Sequence, residues 1–176
     1  MRRKDPLANP VALIRRVYSY VAYRLGDGAE AEDVTSEVFE RALRYRSSYD
    51  ESRGGPLPWL LGIARRCVDD ALTRRPPNAD VEVAEQASDE DLEADAVRRV
   101  SVAGALERLD DRGRELIAMR YGADLSARQI GDVLGMKTNA VEVALHRTLA
   151  RLRAELETAP PETHRPRADP APRVVP

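Results

Sequence analysis

The 176-residue sequence contains a single cysteine, Cys67, so the chain cannot form an internal disulfide. One unpaired cysteine is consistent with a reducing cytoplasm. Histidine is almost as scarce. His146 and His164 have no carboxylate or cysteine at ligand spacing, which argues against a metal site.

Several other features of enzymes and membrane proteins are missing. No apolar run reaches the roughly 18 residues that a membrane-spanning helix needs, so we expect no membrane insertion. Basic residues near the N-terminus are not followed by an apolar run, which argues against a secretory signal. Gly54-Gly55 lacks the frame of a phosphate-binding loop, and the adjacent Asp69 and Asp70 point in different directions on a helix. The sequence therefore predicts no enzyme and no cofactor.

Aromatic residues are also few, at 5%, whereas charged residues make up 33%, a composition that favours helices over a β-sandwich. The net charge of −2 argues at first against nucleic-acid binding, but the charges are unevenly distributed. Residues 76–97 carry eight acidic side chains and no basic one, whereas residues 1–75 and 98–157 carry a net +3 and +2. Two mildly basic segments thus flank an acidic connector.

Residues 126–153 have the pattern of a helix-turn-helix. Ser126 and Gln129 are spaced as a capping box at the start of a short helix. Gly131 falls where we expect the two helices to cross most closely, and Gly135 allows the left-handed conformation that ends a helix. The second helix has an apolar stripe at spacings of three and four, made of Val141, Leu145, Leu149, Leu152 and Leu156. The alternative is two amphipathic helices of an ordinary bundle, which the placement of Gly131, Gly135 and Val141 disfavours.

The N-terminal part of the chain predicts three more helices. Asn9-Pro10 is a helix start with Pro at the first helical position, and Gly26 ends that helix. We expect Asp27 to cap the next helix, with Glu30 in the capping-box position. Residues 59–75 form the clearest amphipathic helix, and Cys67 lies in its apolar stripe.

The composition also predicts loops and connectors. Residues 46–58 are rich in Gly, Pro and Ser, and they carry Tyr49 and Arg53, which suit base stacking and phosphate contact. The acidic connector lacks a regular apolar period and at about 3.3 Å per residue would span roughly 70 Å when extended. Residues 98–108 favour a helix, and Asp110 is placed to cap the following one.

These residues together resemble the sigma-70 family of bacterial RNA polymerase sigma factors, in its compact extracytoplasmic-function (ECF) class. The first block of resemblance is to sigma region 2, with landmarks Arg24-Leu25-Gly26-Asp27, Ala31-Glu32-Asp33-Val34, Glu37, Phe39, Arg41, Trp59-Leu60 and Ile63-Ala64-Arg65. The second is to sigma region 4, with landmarks Leu106, Leu109, Arg114, Leu116, Ile130, Leu134-Gly135, Val141, Leu145, His146-Arg147 and Leu152-Arg153.

The resemblance implies an all-α fold of two small helical domains joined by a flexible acidic linker. The corresponding ranges are 9–76 for the region 2 domain, 77–97 for the linker, 98–157 for the region 4 helix-turn-helix domain and 158–176 for a disordered Pro-rich tail. It also implies a cytoplasmic protein that binds core RNA polymerase through its β and β′ subunits, recognises promoter DNA and helps to open it. An anti-sigma factor is a common further partner in this class.

The resemblance implies three sets of contact residues. Those for the clamp helices of the polymerase β′ subunit are Asp33, Glu37, Phe39 and Arg41. Those for the promoter −10 element are Tyr49, Arg53, Trp59, Arg65, Arg66 and Asp69. Those for the −35 element are Arg128, Lys137, Thr138, Asn139, Glu142, Val143, His146 and Arg147, while the apolar surface of the same domain would meet the β-subunit flap.

This sequence departs from the family pattern at a few of these positions. Arg66 stands where family members often carry Asn, and Thr73 where they often carry Arg. Glu142-Val143-Ala144 stands where the family often shows Lys-Ser-Arg, which removes positive charge from the groove-facing side of the helix. Because phosphate neutralisation dominates affinity for DNA, we expect weak binding to free DNA and an altered sequence preference.

Two other functions fit parts of the pattern. A helix-turn-helix regulator with a helical sensor or dimerisation domain would bind its DNA site alone, as a dimer. A degenerate sigma-like protein would hold the polymerase without initiating transcription. Transcription with core polymerase distinguishes all three.

Overall fold

The structure, a computed structural model, describes residues 5–75 and 102–158, and no residue in these two ranges lies in a β-strand. The first helical domain consists of α1 (Pro10–Leu25), α2 (Ala29–Arg44) and α3 (Pro56–Arg74). The second consists of α4 (102–107), α5 (Asp111–Ile117), α6 (Ala127–Leu134) and α7 (Thr138–Thr158). The predicted all-α fold is confirmed. The predicted linker, the start of the helix predicted at 98–108 and the tail from residue 159 lie outside the described residues.

Proline and glycine set the ends of α1 and the start of α3. Asn9 precedes α1, and Pro10 occupies its first position, where a fixed φ and a missing N–H cost nothing. At the other end, the N–H of Gly26 donates to the carbonyl of Ala22 at 2.9 Å. Helix α3 likewise has a proline, Pro56, at its first position. It therefore begins three residues earlier than predicted.

The prediction that Asp27 caps α2 is wrong. The residue before the helix is Gly28, with a φ of 131° that favours glycine, and no side chain caps the helix. Asp27 instead accepts a hydrogen bond from the hydroxyl of Tyr18, which raises the pKa of that phenol. Glu30, the expected second member of the box, pairs with Arg75 at the end of α3.

Apolar side chains from all three helices fill the centre of the first domain. The fully buried ones include Val17, Val21, Val38, Leu60, Leu61 and Val68. Cys67 belongs to this core, as predicted, and burial raises the pKa of its thiol to about 11. A buried, protonated thiol packs as a small apolar group.

The second domain begins with a capped helix and a wide turn. Asp110 accepts a hydrogen bond from the N–H of Gly113 at 2.9 Å, which confirms its role as the cap of α5. A π-helical turn, Ala118–Gly122, follows α5 directly. This turn leads into the helix-turn-helix and faces the first domain.

The helix-turn-helix follows the prediction in most respects. Ser126 and Gln129 form the full capping box at the start of α6. Gly135 ends the helix in the left-handed conformation, with a φ of 66°. A Cβ at Gly131 would lie 2.5 Å from the carbonyl oxygen of Met136. The close approach at Gly131 is therefore to the backbone of the turn and not to α7, where it was expected.

The buried stripe of α7 also differs from the prediction in its second half. Val141 and Leu145 are buried, and the stripe continues through Thr148. Leu149 and Leu156, which were expected in it, are each 37% exposed. The spacing of 3.6 residues per turn explains the change, because residue 148 keeps the direction of 141 and 145 better than residue 149 does.

The two domains pack against each other, which the sequence pattern did not predict. The π-helical turn rests on α1, where a Cβ at Gly122 would lie 2.9 Å from the carbonyl oxygen of Ser19 and 3.0 Å from the ring of Tyr23. Helix α3 also contacts α6.

Candidate functional site

The loop between α2 and α3 forms a cleft with two aromatic side chains. Two 3-10 turns, Arg46–Ser48 and Glu51–Arg53, fold the loop back on itself. The hydroxyl of Tyr49 donates to the carbonyl of Gly54 at 3.2 Å, and the Tyr49 and Trp59 ring centroids lie 5.5 Å apart with a tilt of 60°. These rings and Arg53 line a cleft of about 170 Å³, which we call the aromatic cleft. Such a cleft can stack and hold an unpaired base.

The structure divides the six predicted −10 residues into two groups. Tyr49, Arg53 and Trp59 line the cleft, and the exposed Arg66 lies about two helical turns from Trp59 on the same side of α3. Arg65 and Asp69 face the second domain instead.

Arg65 and Asp69 each lie close to an oppositely charged side chain. The Nε of Arg65 donates to Oε1 of Glu115 at 2.5 Å, and Asp69 lies 4.0 Å from Arg24. Neither side chain lines the aromatic cleft, and both line a separate depression together with Asp111, Arg112 and Glu115 of the second domain.

The acidic face of α2, defined by Asp33, Glu37 and Arg41, repeats every four residues and so lies along one side of the helix. Arg41 donates to Glu37 at 2.5 Å and to Asp70 of α3 at 3.0 Å. The hydrogen bond to Asp70, more than the one to Glu37, raises the pKa of Arg41. One carboxylate oxygen of Glu37 also lies 3.9 Å from Arg74, and a third of the Glu37 side chain remains exposed. The face thus presents the Glu37 carboxylate, which Arg41 and Arg74 hold in position, beside the exposed Asp33.

Phe39 does not share this face. It lies about 200° around α2 from Glu37, and it packs half-buried against the hydrophobic core. Its position fits a role in supporting the helix, although the resemblance implied a role in binding.

All eight predicted −35 residues are exposed, on α6, on the turn and on the outer side of α7. Those of α7 follow the spacing of one helix face: Thr138, Asn139, Glu142, Val143, His146 and Arg147. Arg128 and Lys137 lie outside α7, near the start of α6 and before the start of α7. The predicted −35 residues of α7 therefore form one exposed helix face, and none of the charged side chains among the eight is buried.

Three charged residues at the domain contact were missed by the sequence prediction. Arg16 on α1 donates to the carbonyls of Ala123 and Asp124, and Arg24 donates to the carbonyl of Asp111 at 3.0 Å. Glu115 is only 8% exposed. The sequence did contain a signal that Glu115 is buried. It precedes Leu116 and lies four residues before Met119, so it occupies a position in an apolar stripe.

Neither described range contains a helix that is long and apolar enough to cross a membrane. The same residues contain no group of three or more His, Cys, Asp or Glu side chains suited to a metal ion.

Comparisons with known proteins agree with the order of the two domains. The family model for Sigma-70 region 2 matches residues 11–76, and the model for Sigma-70, region 4 matches residues 105–154. The ECF RNA polymerase sigma factor SigK of Mycolicibacterium vanbaalenii is 32% identical over 154 residues, which cover 82% of this chain and 78% of that protein.

Two further proteins are similar. The ECF RNA polymerase sigma factor BldN of Streptomyces coelicolor is 32% identical over 77% of this chain, which spans only 55% of that relative's length. The sigma factor RpoE from Bartonella quintana, solved in complex with the anti-sigma factor NepR, has a TM-score of 0.59 at 18% identity and covers 84% of this chain and 94% of its own. At that identity, the likeness concerns the fold.

Proposed function

The chain belongs to the ECF class of the sigma-70 family, and from this we infer that it binds core RNA polymerase, recognises promoter −10 and −35 elements and helps to open the DNA. The observation that carries the inference is the presence on one chain of both family regions, in order, with an aromatic cleft in the first and an exposed recognition helix in the second. In this role the chain supplies recognition and the polymerase supplies the chemistry, so we do not assign it an enzymatic activity.

The acidic face of α2 is our proposed binding site for the clamp helices of the β′ subunit. Asp33 is exposed and Glu37 is partly so. The bonds of Arg41 to Glu37 and Asp70 hold Glu37 and Arg41 in one geometry before binding, which lowers the entropy cost of association. Complementary charge across such an interface favours rapid and specific docking.

The aromatic cleft is our proposed site for a base extruded from the −10 element. Extrusion costs a few kcal/mol of unstacking, and stacking on Tyr49 or Trp59 offsets part of that cost. Arg53 and Arg66, both exposed, are positioned to meet the phosphates of the same strand.

The exposed side of α7 is our proposed reader of the −35 element. The N-terminal part of the second helix of a helix-turn-helix meets base edges in the major groove. Glu142 can accept a hydrogen bond from a cytosine amino group, and Val143 can contact a thymine methyl. The exposed Leu149 and Leu156 offer an apolar surface to the β-subunit flap.

Two proposals follow from the class alone. A protein that works with RNA polymerase would act in the cytoplasm. An anti-sigma factor, present with the similar RpoE in its solved complex, would be a regulatory partner.

Transcription in vitro with core polymerase tests the function. We expect the full chain to direct core enzyme to specific start sites on genomic promoter fragments, and we expect the chain alone to bind duplex DNA weakly. Tight, specific duplex binding by a dimer without core enzyme would instead support a helix-turn-helix regulator. Core binding without any initiated transcript would support a sigma-like protein that only holds the polymerase.

The groove-facing charge of α7 gives a second prediction. Glu142→Lys replaces a negative charge with a positive one, so the variant should bind duplex DNA more tightly. One additional phosphate contact should make the slope of log K against log salt steeper by roughly 0.9. Titration of a fluorescent promoter duplex at several salt concentrations measures both quantities.

The matched control is Glu157→Lys, which makes the same charge change at an exposed position near the far end of α7. We expect little change in its salt slope. Equal effects of the two substitutions would mean that DNA does not approach the start of α7.

A further inference from the structure

We propose that Asp70 is a positioning residue of the polymerase-binding surface: through Arg41, it holds the carboxylate of Glu37 in the orientation that the polymerase meets. Asp70 lies on α3 and belongs to none of the three predicted sets of contact residues. The proposal rests on the proposed function for the partner that it names. The hydrogen-bonded bridge between the two helices is a property of the free chain.

Arg41 is the link between α2 and α3. One of its terminal nitrogens, Nη2, donates to Oε1 of Glu37 at 2.5 Å and to Oδ2 of Asp70 at 3.0 Å. A terminal nitrogen of a guanidinium carries two N–H groups, so these two bonds use both of them. The Arg41 guanidinium is therefore fixed from both sides, although 30% of its side chain is exposed.

Asp70 also fixes a second arginine, in this case through its backbone. Its carbonyl accepts a hydrogen bond from Nε of Arg74 at 3.1 Å. A terminal nitrogen of Arg74 then lies 3.9 Å from Oε2 of Glu37. Glu37, Arg41, Asp70 and Arg74 thus form a closed ring in which negative and positive side chains alternate, and we call it the charge ring.

The two arginines of the charge ring hold Glu37 with unequal strength. Arg74 is 67% exposed, and its distance of 3.9 Å from Glu37 is too long for a hydrogen bond. Such an exposed ion pair contributes little. A cation of the polymerase can therefore replace Arg74 at Oε2 of Glu37, while Arg41 stays in place because Asp70 also binds it.

The carboxylate of Asp70 also sets the charge of this surface. The four ionised side chains of the charge ring sum to zero, and the nearby Asp33, which lines the same groove, adds a negative charge. Without the Asp70 carboxylate the ring would carry a net positive charge, and Arg41 could turn both N–H groups of Nη2 to Glu37. Both changes weaken the attraction for a cationic partner surface.

The experiment measures core binding by the full chain with and without the bridge. Asp70→Ala and Arg41→Ala each break it, and the double variant completes a mutant cycle. Glu32→Ala is the matched control, because it removes an exposed carboxylate of α2 that lies outside the charge ring. Each chain is titrated with purified core polymerase by fluorescence anisotropy, and circular dichroism confirms that each keeps its helices.

We expect Asp70→Ala to lower affinity for core polymerase by about threefold to tenfold, as for the loss of a partly exposed, charge-assisted hydrogen bond. Arg41→Ala should lower it by a similar factor, since either change breaks the bridge. In the Arg41→Ala background, Asp70→Ala should change the affinity by less than about twofold, because its effect passes through Arg41. Glu32→Ala should bind like the wild type.

Three results would overturn the proposal. The first is wild-type affinity of Asp70→Ala. The second is an Asp70→Ala loss of the same size with and without Arg41, which would mean that Asp70 contacts the polymerase directly or serves only the fold. The third is complete loss of binding in Arg41→Ala alone, which would make Arg41 itself the main contact.

A second measurement tests the bridge without polymerase. In ¹⁵N-edited NMR spectra of the free chain, hydrogen bonds slow the rotation of the terminal nitrogens of a guanidinium and keep their signals separate. We expect slow rotation for Arg41 in the wild type and faster rotation in Asp70→Ala. Identical Arg41 signals in the two chains would contradict the bridge. Failure of the wild type to bind core polymerase, with the NMR signals as expected, would reject the proposed function and leave the bridge standing.

Discussion

Glu37→Lys is expected to abolish retention of core RNA polymerase by the immobilised chain and, with it, core-dependent transcription. The substitution reverses the charge at the centre of the acidic face, and like charges across an interface cost several kcal/mol. A loss of about 2–5 kcal/mol corresponds to roughly 30-fold or more in affinity. A pull-down with purified core enzyme and titration by fluorescence anisotropy measure this loss.

The fold should survive this change. Glu37 is a third exposed, and we expect Asp70 to remain a hydrogen-bond partner of Arg41 when Glu37 is replaced. Loss of an exposed ion pair costs only about 0.2–1 kcal/mol. Glu32→Lys is the matched control, since Glu32 is exposed on the same helix but lies about 140° around it. Unchanged core binding by Glu37→Lys, or equal losses in both variants, would show that the acidic face is not the interface.

Local patterns predicted most helix ends correctly. Pro10, the capping box of Ser126 and Gln129, and Gly135 each act through neighbours within four residues, so their effect is visible in the sequence. Asp27 fails as a cap because Tyr18, nine residues away, takes its carboxylate. A capping signal read along the chain cannot include a competing partner from another helix.

The sequence also predicted those parts of the candidate sites whose residues are close together in the chain. The cleft residues Tyr49, Arg53 and Trp59 come together because the short loop and the first turn of α3 are neighbours in the sequence. Phe39 has the right residue type in the right segment, but helical periodicity turns it away from Glu37.

The domain contact was beyond the reach of sequence patterns. Arg65 and Glu115 are 50 residues apart, with the acidic connector between them. No sequence periodicity links Arg65 to Glu115, and the sequence around each one alone predicts a charged residue on a solvent-exposed helix face. Only the packed structure gives this information: Gly122 lies so close to Ser19 of α1 that a Cβ would be 2.9 Å from its carbonyl oxygen.

Tyr49→Ala is expected to reduce initiation from a closed, duplex promoter by about 5- to 150-fold, since stacking one base on an aromatic ring is worth about 1–3 kcal/mol. On a template whose −10 region is already unpaired by mismatches, unstacking costs less, so the deficit should shrink. Run-off transcription on the two templates, with the same core enzyme, gives the ratio directly. The variant therefore separates promoter opening from polymerase binding, which Glu37→Lys removes.

Two controls make the result specific to the Tyr49 ring. Tyr49→Phe keeps the ring but loses the hydrogen bond to Gly54, a bond worth about 0.5–1.5 kcal/mol, so it should stay close to the wild type if stacking is the main contribution. Tyr45→Ala removes a ring that is 52% exposed four residues earlier, and Tyr45 does not line the cleft. Equal deficits for Tyr45→Ala and Tyr49→Ala, or a Tyr49→Ala deficit that persists in full on the mismatched template, would contradict base capture in the cleft. A deficit confined to duplex templates and to the loss of the Tyr49 ring would establish that the cleft acts at the opening step.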